Sequence, residues 1–303
     1  RTRPENCARA SLSGRESSLR VGEYSVRNDM RPIELLSILS SGKSIERQIT
    51  FPEGTNIYEM ADLVEQKGLA RRSEFLHLVK DPQLIQELLG ESWPSLEGYL
   101  FPETYNYTKF TPVESLVRGM VNRFKEVYGS IGHDPKAGFT RHQLVTLASV
   151  IEKETGAPDE RPMISSVFHN RLKRAMRLQS DPTIIYGIWA ETGSYKQNIT
   201  RDDILRSTPY NTYTVAALPI GPIANPGREA MAAVIRPAQS GYFFFVSKND
   251  GTHTFSESLE MHNAAVQKFQ LNRHAREGKS WRDLGQRQKT AVQGQPVPSV
   301  KPN

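Results

Sequence analysis

Apolar residues recur at helical spacing through much of the chain, most clearly over residues 141–155. There Leu144, Leu147, Ala148 and Ile151 fall on one face and Lys153 on the other, which predicts an amphipathic helix. Further helices are predicted over 111–127, with Pro112 suited to the first turn, and over 161–176. Another opens at Asp181, with Asp181 as cap and Pro182 at the first helical position. Asn225-Pro226 caps a helix that must stop by Pro237, and a closing helix is expected over 259–271. Tyr242 to Ser247 is apolar on both faces and reads as a buried strand. The run Leu218-Pro219-Ile220-Gly221-Pro222 reads as loop.

A weak internal repeat occupies residues 20–68. Val26, Ile33, Glu34, Leu35, Ile38 and Leu39 line up with Phe51, Tyr58, Glu59, Met60, Leu63 and Val64. Each unit reads as a short strand, a polar turn and an amphipathic helix ending near Gly42 or Gly68. A unit this small cannot bury its own apolar face, so the two are expected to pack as one module, either a spacer or a binding element. Residues 1–18 and 276–303 show no period and are expected to be a disordered leader and tail. The resulting organisation is α+β: a small α/β module over 19–82, then a mixed, helix-rich domain over 83–275.

Composition narrows the function classes. The chain has 303 residues, 37% of them hydrophobic and 24% charged, which suits a folded protein of about two domains. A net charge of +6 favours an acidic partner, but Lys and Arg are spread along the chain, which argues against nucleic acid. The single cysteine, Cys7, excludes an internal disulfide or a thiolate cluster. No segment is apolar for long enough to span a membrane; the chain starts with Arg rather than Met, so removal of an upstream segment is expected, and any anchor would sit there.

The helix over 141–155 carries the best candidate chemistry. Glu154 stacks over Leu147, Val150 and Ile151 on one flank of the apolar face, whereas Glu152 projects from the other flank, about 160° away around the axis. The two cannot together grip one sugar bond. A carboxyl lying on apolar side chains has its pKa raised and stays protonated near neutral pH, as a general acid must. The plainer alternative is that both are solvated residues at a helix end. The seven histidines show no zinc-site spacing, and no nucleophile elbow, phosphate loop or dinucleotide fingerprint occurs, so neither metal nor cofactor is expected.

Several unusual blocks follow in order: Leu147-Ala148-Ser149-Val150-Ile151-Glu152-Lys153-Glu154-Thr155, Ser166-Val167-Phe168-His169-Asn170-Arg171-Leu172, and Met176 through Gly187 with Gln179-Ser180-Asp181-Pro182. Tyr210-Asn211-Thr212-Tyr213-Thr214, Leu218 through Ile223, His253-Thr254-Phe255 and His262-Asn263 come after them, and Leu96 through Tyr105 stands upstream. Together they resemble the YceG-like family of endolytic murein transglycosylases. The resemblance implies a LysM-like module before the catalytic domain, and a membrane helix that these residues do not contain. It implies attachment to the cytoplasmic membrane with the catalytic part facing outward or into the periplasm. It implies peptidoglycan glycan strands as substrate and penicillin-binding synthases as partners, with cleavage ending strand elongation.

By position in the family's pattern, the catalytic glutamate corresponds to Glu154. One carboxyl then suffices, because lytic transglycosylases use the C6 hydroxyl of N-acetylmuramic acid in place of water and leave a 1,6-anhydro ring. Gln179, Asn211, Tyr213, Tyr210 and Glu152 are the substrate-contact candidates; for the loop residues the alternative is bracing of the backbone. Asp181 reads as a helix cap, Glu97 and Glu103 as turn contacts or cleft-shaping groups, and His253 and His262 as satisfied structural histidines. Arg171 is placed to pair with a carboxylate that the sequence does not name. A hydrolytic muramidase and a non-catalytic wall-binding scaffold are the competing functions.

Overall fold

The computed structural model describes residues 19–134, 138–155 and 157–272. The expected leader, with Cys7, and the expected tail lie outside the described residues. The fold is α+β, with helices dominating and two small antiparallel sheets. Contacts divide the chain into two compact units, Arg1–Ser130 and Ile131–Asn303.

In the first unit, α1 (Pro32–Ser41), β1 (Arg47–Thr50) and α2 (Ile57–Gln66) follow the repeat. The first repeat's expected strand is absent: residues 20–30 carry no strand, and Val26 is 56% exposed. A strand needs a ladder partner as well as alternating residues, and β1 instead pairs with β2 (Thr104–Tyr107), Ile49 opposite Tyr105. The expected module over 19–82 thus shares a sheet with residues beyond it. Two short helices, α3 (Arg72–Leu78) and α4 (Pro82–Leu89), and the long α5 (Val113–Ser130) complete this unit. Pro112 lies just before α5, where its carbonyl accepts from Ser115 and Leu116.

The start of α2 shows how fully this unit satisfies its polar groups. Asn56 accepts from the backbone N–H of Tyr58 and Glu59, both at 3.0 Å, while Glu59 accepts from the Asn56 N–H at 2.9 Å. The remaining free donor, the Ile57 N–H, is taken at 3.0 Å by Glu97, which is 2% exposed. Glu97 is therefore a buried turn contact, and Glu103 forms an ion pair with Arg123 at 2.6 Å.

The second unit is built around α6 (Arg141–Glu154), which packs against α7 (Arg161–Lys173), α8 (Asp181–Thr192) and α10 (Arg228–Ile235). Thr140 and Gln143 form a reciprocal cap at its start. Its residues from Leu144 to Glu152 are buried without a break, so the predicted single apolar face is surrounded on all sides. Thr155 adopts an extended conformation, φ −136°, and Pro158 opens a 3-10 turn, so Glu154 is the last helical residue. The short α9 (Arg201–Leu205) lies between α8 and α10. β3 (Phe244–Ser247) and β4 (His253–Ser256) form a hairpin, followed by α11 (Leu259–Val266) and a π-type turn over Gln267–Leu271. β3 is not the buried strand expected: within it only Val246 is buried, because the hairpin has no third strand among the described residues and its aromatic residues form a cleft wall instead.

Replacing Asn56 by Ala removes two cap bonds at a buried helix end. It is expected to cost about 1 kcal/mol in urea denaturation, with Asn56→Asp close to wild type.

Candidate active site

Glu154 ends α6 half-buried at the rim of a cleft of about 340 Å³. Leu178, Gln179 and Asp181 line one side, β3 contributes Phe244 and Phe245, and α11 contributes Leu259 and His262. Burial pushes the Glu154 carboxyl from 4.5 up to about 7; the nearby Asp181 charge adds to the rise, and the Ser180 hydroxyl and Arg171 oppose it. Loss of solvation therefore outweighs the two groups that favour the anion.

Ser180 donates its hydroxyl to Glu154 Oε1. The serine is held by a threonine network: its N–H donates to Thr212 Oγ1 at 2.9 Å, and Thr183 donates to the Ser180 carbonyl at 2.6 Å. Just before it, Gln179 takes φ +52°, in the left-handed region that non-glycine residues seldom occupy. That turn leaves the Gln179 side chain exposed on the cleft.

Arg171 reaches the cleft from α7 and joins its walls. Nε donates to the Phe243 carbonyl at 2.6 Å, and Nη1 donates to the carbonyls of Leu178 at 2.7 Å and Arg177 at 3.3 Å. Its guanidinium carbon lies 5.3 Å from the centre of the Phe244 ring. With these donors spent on carbonyls, the carboxylate partner expected for Arg171 is replaced by the backbone of two loops.

Of the substrate-contact candidates, the structure brings Gln179 and Tyr213 to the cleft with Glu154 and leaves three outside it. Tyr213 donates its hydroxyl to Asp181 at 2.6 Å, and burial pushes that phenol well above its usual pKa. Asp181 consequently is not the cap of α8. Ser180 holds the N-cap position without a side-chain bond, and the Asp181 carboxylate faces the cleft. Asn211, 0% exposed, donates Nδ2 to the carbonyls of Asp203, Ile204 and Arg206 and accepts from the Tyr213 N–H. It is a loop brace. Tyr210 packs edge-on against Tyr186 at 4.8 Å. Glu152 pairs with Arg161 at 2.7 Å and accepts from the Gly227 N–H at 3.0 Å, so both its oxygens are taken in the interior.

His253 is held by Glu160 at 2.7 Å, as a structural histidine would be. His262 is not of that kind: it lines the cleft, stacks on Phe244 at 5.2 Å, and its buried Nδ1 makes no hydrogen bond among the described residues. Burial, with Arg171 nearby, lowers its pKa below the usual imidazole value. Phe244, Phe245 and Leu259, which line the cleft, and the buried Ser180, which bonds Glu154, went unassigned from the sequence. Ser180 alone left a signal there, standing inside the Gln179-Ser180-Asp181-Pro182 run. Among the described residues no group of three or more His, Cys, Asp or Glu side chains is placed to hold a metal ion.

The sequence matches the YceG-like family over residues 5–268. The chain belongs to the YceG-like family. It is 32% identical over 272 residues to the endolytic murein transglycosylase of Bacillus subtilis strain 168, across 84% of this chain and 74% of that protein. It is 30% identical over 285 residues to the endolytic murein transglycosylase of Streptococcus pneumoniae serotype 2, strain D39, across 82% of this chain and 50% of that one. A crystal structure of a YceG-like protein from Listeria monocytogenes superposes with a TM-score of 0.65 at 30% identity, covering 86% of this chain and 89% of that one. No helix among the described residues is long and apolar enough to cross a membrane.

The two glutamates of α6 should respond oppositely to substitution. Glu152→Ala leaves Arg161 buried without its carboxylate and is expected to cost about 3–5 kcal/mol in chemical denaturation. Glu154 behaves differently, because its folded pKa of about 7 lies above the ordinary 4.5. Between those values the folded chain keeps a proton that the unfolded chain has released, so this contribution is complete below pH 4.5 and lost as pH rises through 7. Melting temperatures of wild type should therefore fall over that window, and Glu154→Gln should remove this part of the slope.

Proposed function

We propose that this YceG-like chain is an endolytic peptidoglycan lytic transglycosylase, with Glu154 as its single acid and base. The observation that carries the reading is a carboxyl with a pKa of about 7 at the rim of an open cleft. The relatives' names supply the substrate class, the murein glycan strand.

In the first step Glu154, protonated, gives its proton to the oxygen that links N-acetylmuramic acid to N-acetylglucosamine, and the bond from muramic C1 to that oxygen breaks. The oxygen leaves as the C4 hydroxyl of N-acetylglucosamine. The muramic C6 hydroxyl then bonds to C1, and its proton passes to the Glu154 carboxylate. No water is consumed, the muramic acid ends as a 1,6-anhydro sugar, and Glu154 returns to its protonated state.

Ser180 suits this double duty, since a hydroxyl donor to Oε1 eases the anionic interval without supplying a full charge. Gln179 and Tyr213 are the proposed contacts to sugar hydroxyl and acetamido groups. Cleavage would end the elongation of nascent strands, beside penicillin-binding synthases and from a membrane anchor upstream of the chain. The LysM-like character expected for residues 19–82 would give the first unit a role in holding glycan.

One observation favours a second reading. Asp181 puts another carboxylate in the cleft with Glu154, as a hydrolytic muramidase would require. Its bond to the Tyr213 hydroxyl makes it a brace for the cleft wall in the reading preferred here.

Digestion of purified sacculi separates the cases by mass spectrometry. The transglycosylase releases anhydro ends from within strands; reducing ends would establish the muramidase, and binding without product would leave a scaffold. Glu154→Gln is expected to lower turnover at least a hundredfold while keeping the fold. The wild-type rate should fall as pH rises above about 7, because the first step needs the protonated carboxyl.

A further inference from the structure

A second cavity, of about 520 Å³, borders the segment that leads into the cleft wall. Phe243 lines this cavity and Phe244 lines the Glu154 cleft. Phe245 lines the Glu154 cleft as well, so one short segment of chain borders both spaces. The floor is preformed: Asn170 donates Nδ2 to the carbonyls of Ser240 and Tyr242, and Ser166 bonds Ser240 at 2.7 Å.

Charge gives this cavity a preference. Lys173 and Arg174, at the end of α7, line it. Both are exposed, and neither is in an ion pair with a described residue. Arg174 lies over the Phe243 ring at 4.2 Å, which sets its guanidinium in the cavity wall. Glu257 stands as one exposed carboxylate among the lining residues. Two cations and one anion around a polar floor fit a ligand with several carboxylates and one ammonium group.

The substrate proposed above carries such a group. The lactyl ether of muramic acid bears a short peptide with free carboxylates and, where its third residue is a diamino acid, an ammonium group. Five extended residues reach about 17 Å, so a peptide carried by a sugar in the Glu154 cleft can extend along the segment that borders both spaces. We propose that the cavity of Lys173, Arg174, Phe243 and Glu257 binds the stem peptide of the muramic acid next to the scissile bond. This rests on the transglycosylase reading for the identity of the ligand, though not for the site's chemistry.

The experiment compares glycan strands bearing peptides with strands stripped of them by an amidase. Lys173→Ala/Arg174→Ala changes only exposed side chains and is expected to raise KM on peptide-bearing strands roughly tenfold, leaving kcat unchanged. On stripped strands it should behave as wild type, and Lys173→Arg should retain wild-type KM on both. Equal effects on the two substrates, or none on either, would overturn the proposal. A second measurement needs no turnover: nuclear magnetic resonance titration of Glu154→Gln protein with a free muramyl tripeptide. Shifts at Phe243 and Gly241 that vanish in the Lys173→Ala/Arg174→Ala background support the site even if no anhydro product is ever found. Absence of any shift at millimolar peptide rejects it even if the transglycosylase reaction is established.

Discussion

The guanidinium of Arg171 holds the cleft together. From α7 it binds a carbonyl of the chain entering β3 and two carbonyls of the turn that leads to Ser180, so both walls refer to one buried cation. Its placement carries a chemical consequence. A cation beside a carboxyl would ordinarily fix it as an anion, yet these donors are engaged with peptide oxygens and do not fork onto Glu154. The carboxyl is therefore near positive charge without being paired to it, and burial decides its protonation.

The same economy of contacts separates the two glutamates of α6. Glu152 is enclosed by Arg161 and the Gly227 N–H, with no oxygen left for a substrate. Glu154, two residues on, has one hydroxyl donor and an open cleft. A helix turn of about 200° between them is what directs one to the interior and the other to the rim. In the proposed mechanism the first glutamate keeps the helix end in place, and the second moves the proton.

Much of this unit was legible along the chain. The helix over 141–155 appeared within a residue of its expected ends, and the divergence of Glu152 and Glu154 around its axis followed from spacing alone. Asn211 makes the backbone bonds of the plainer alternative, bracing, since a buried amide with no partner would be costly. Other features left no local trace. Nothing around Gln179 announces a left-handed backbone, which long-range bonds to Thr212 impose. β3 looked like an interior strand because its aromatics were read as core, whereas they face a cleft.

Periodicity and type of residue were enough to set the α+β character, the central helix, and the opposed directions of its two carboxyls, because these depend on neighbours within a turn or two. The partner of Arg171, the facing of Asp181 toward Tyr213, and the loss of the first repeat's strand were settled by residues tens of positions away. Chain folding brings such groups together, and their hydrogen bonds and burial have no signature at the spacing where each residue stands.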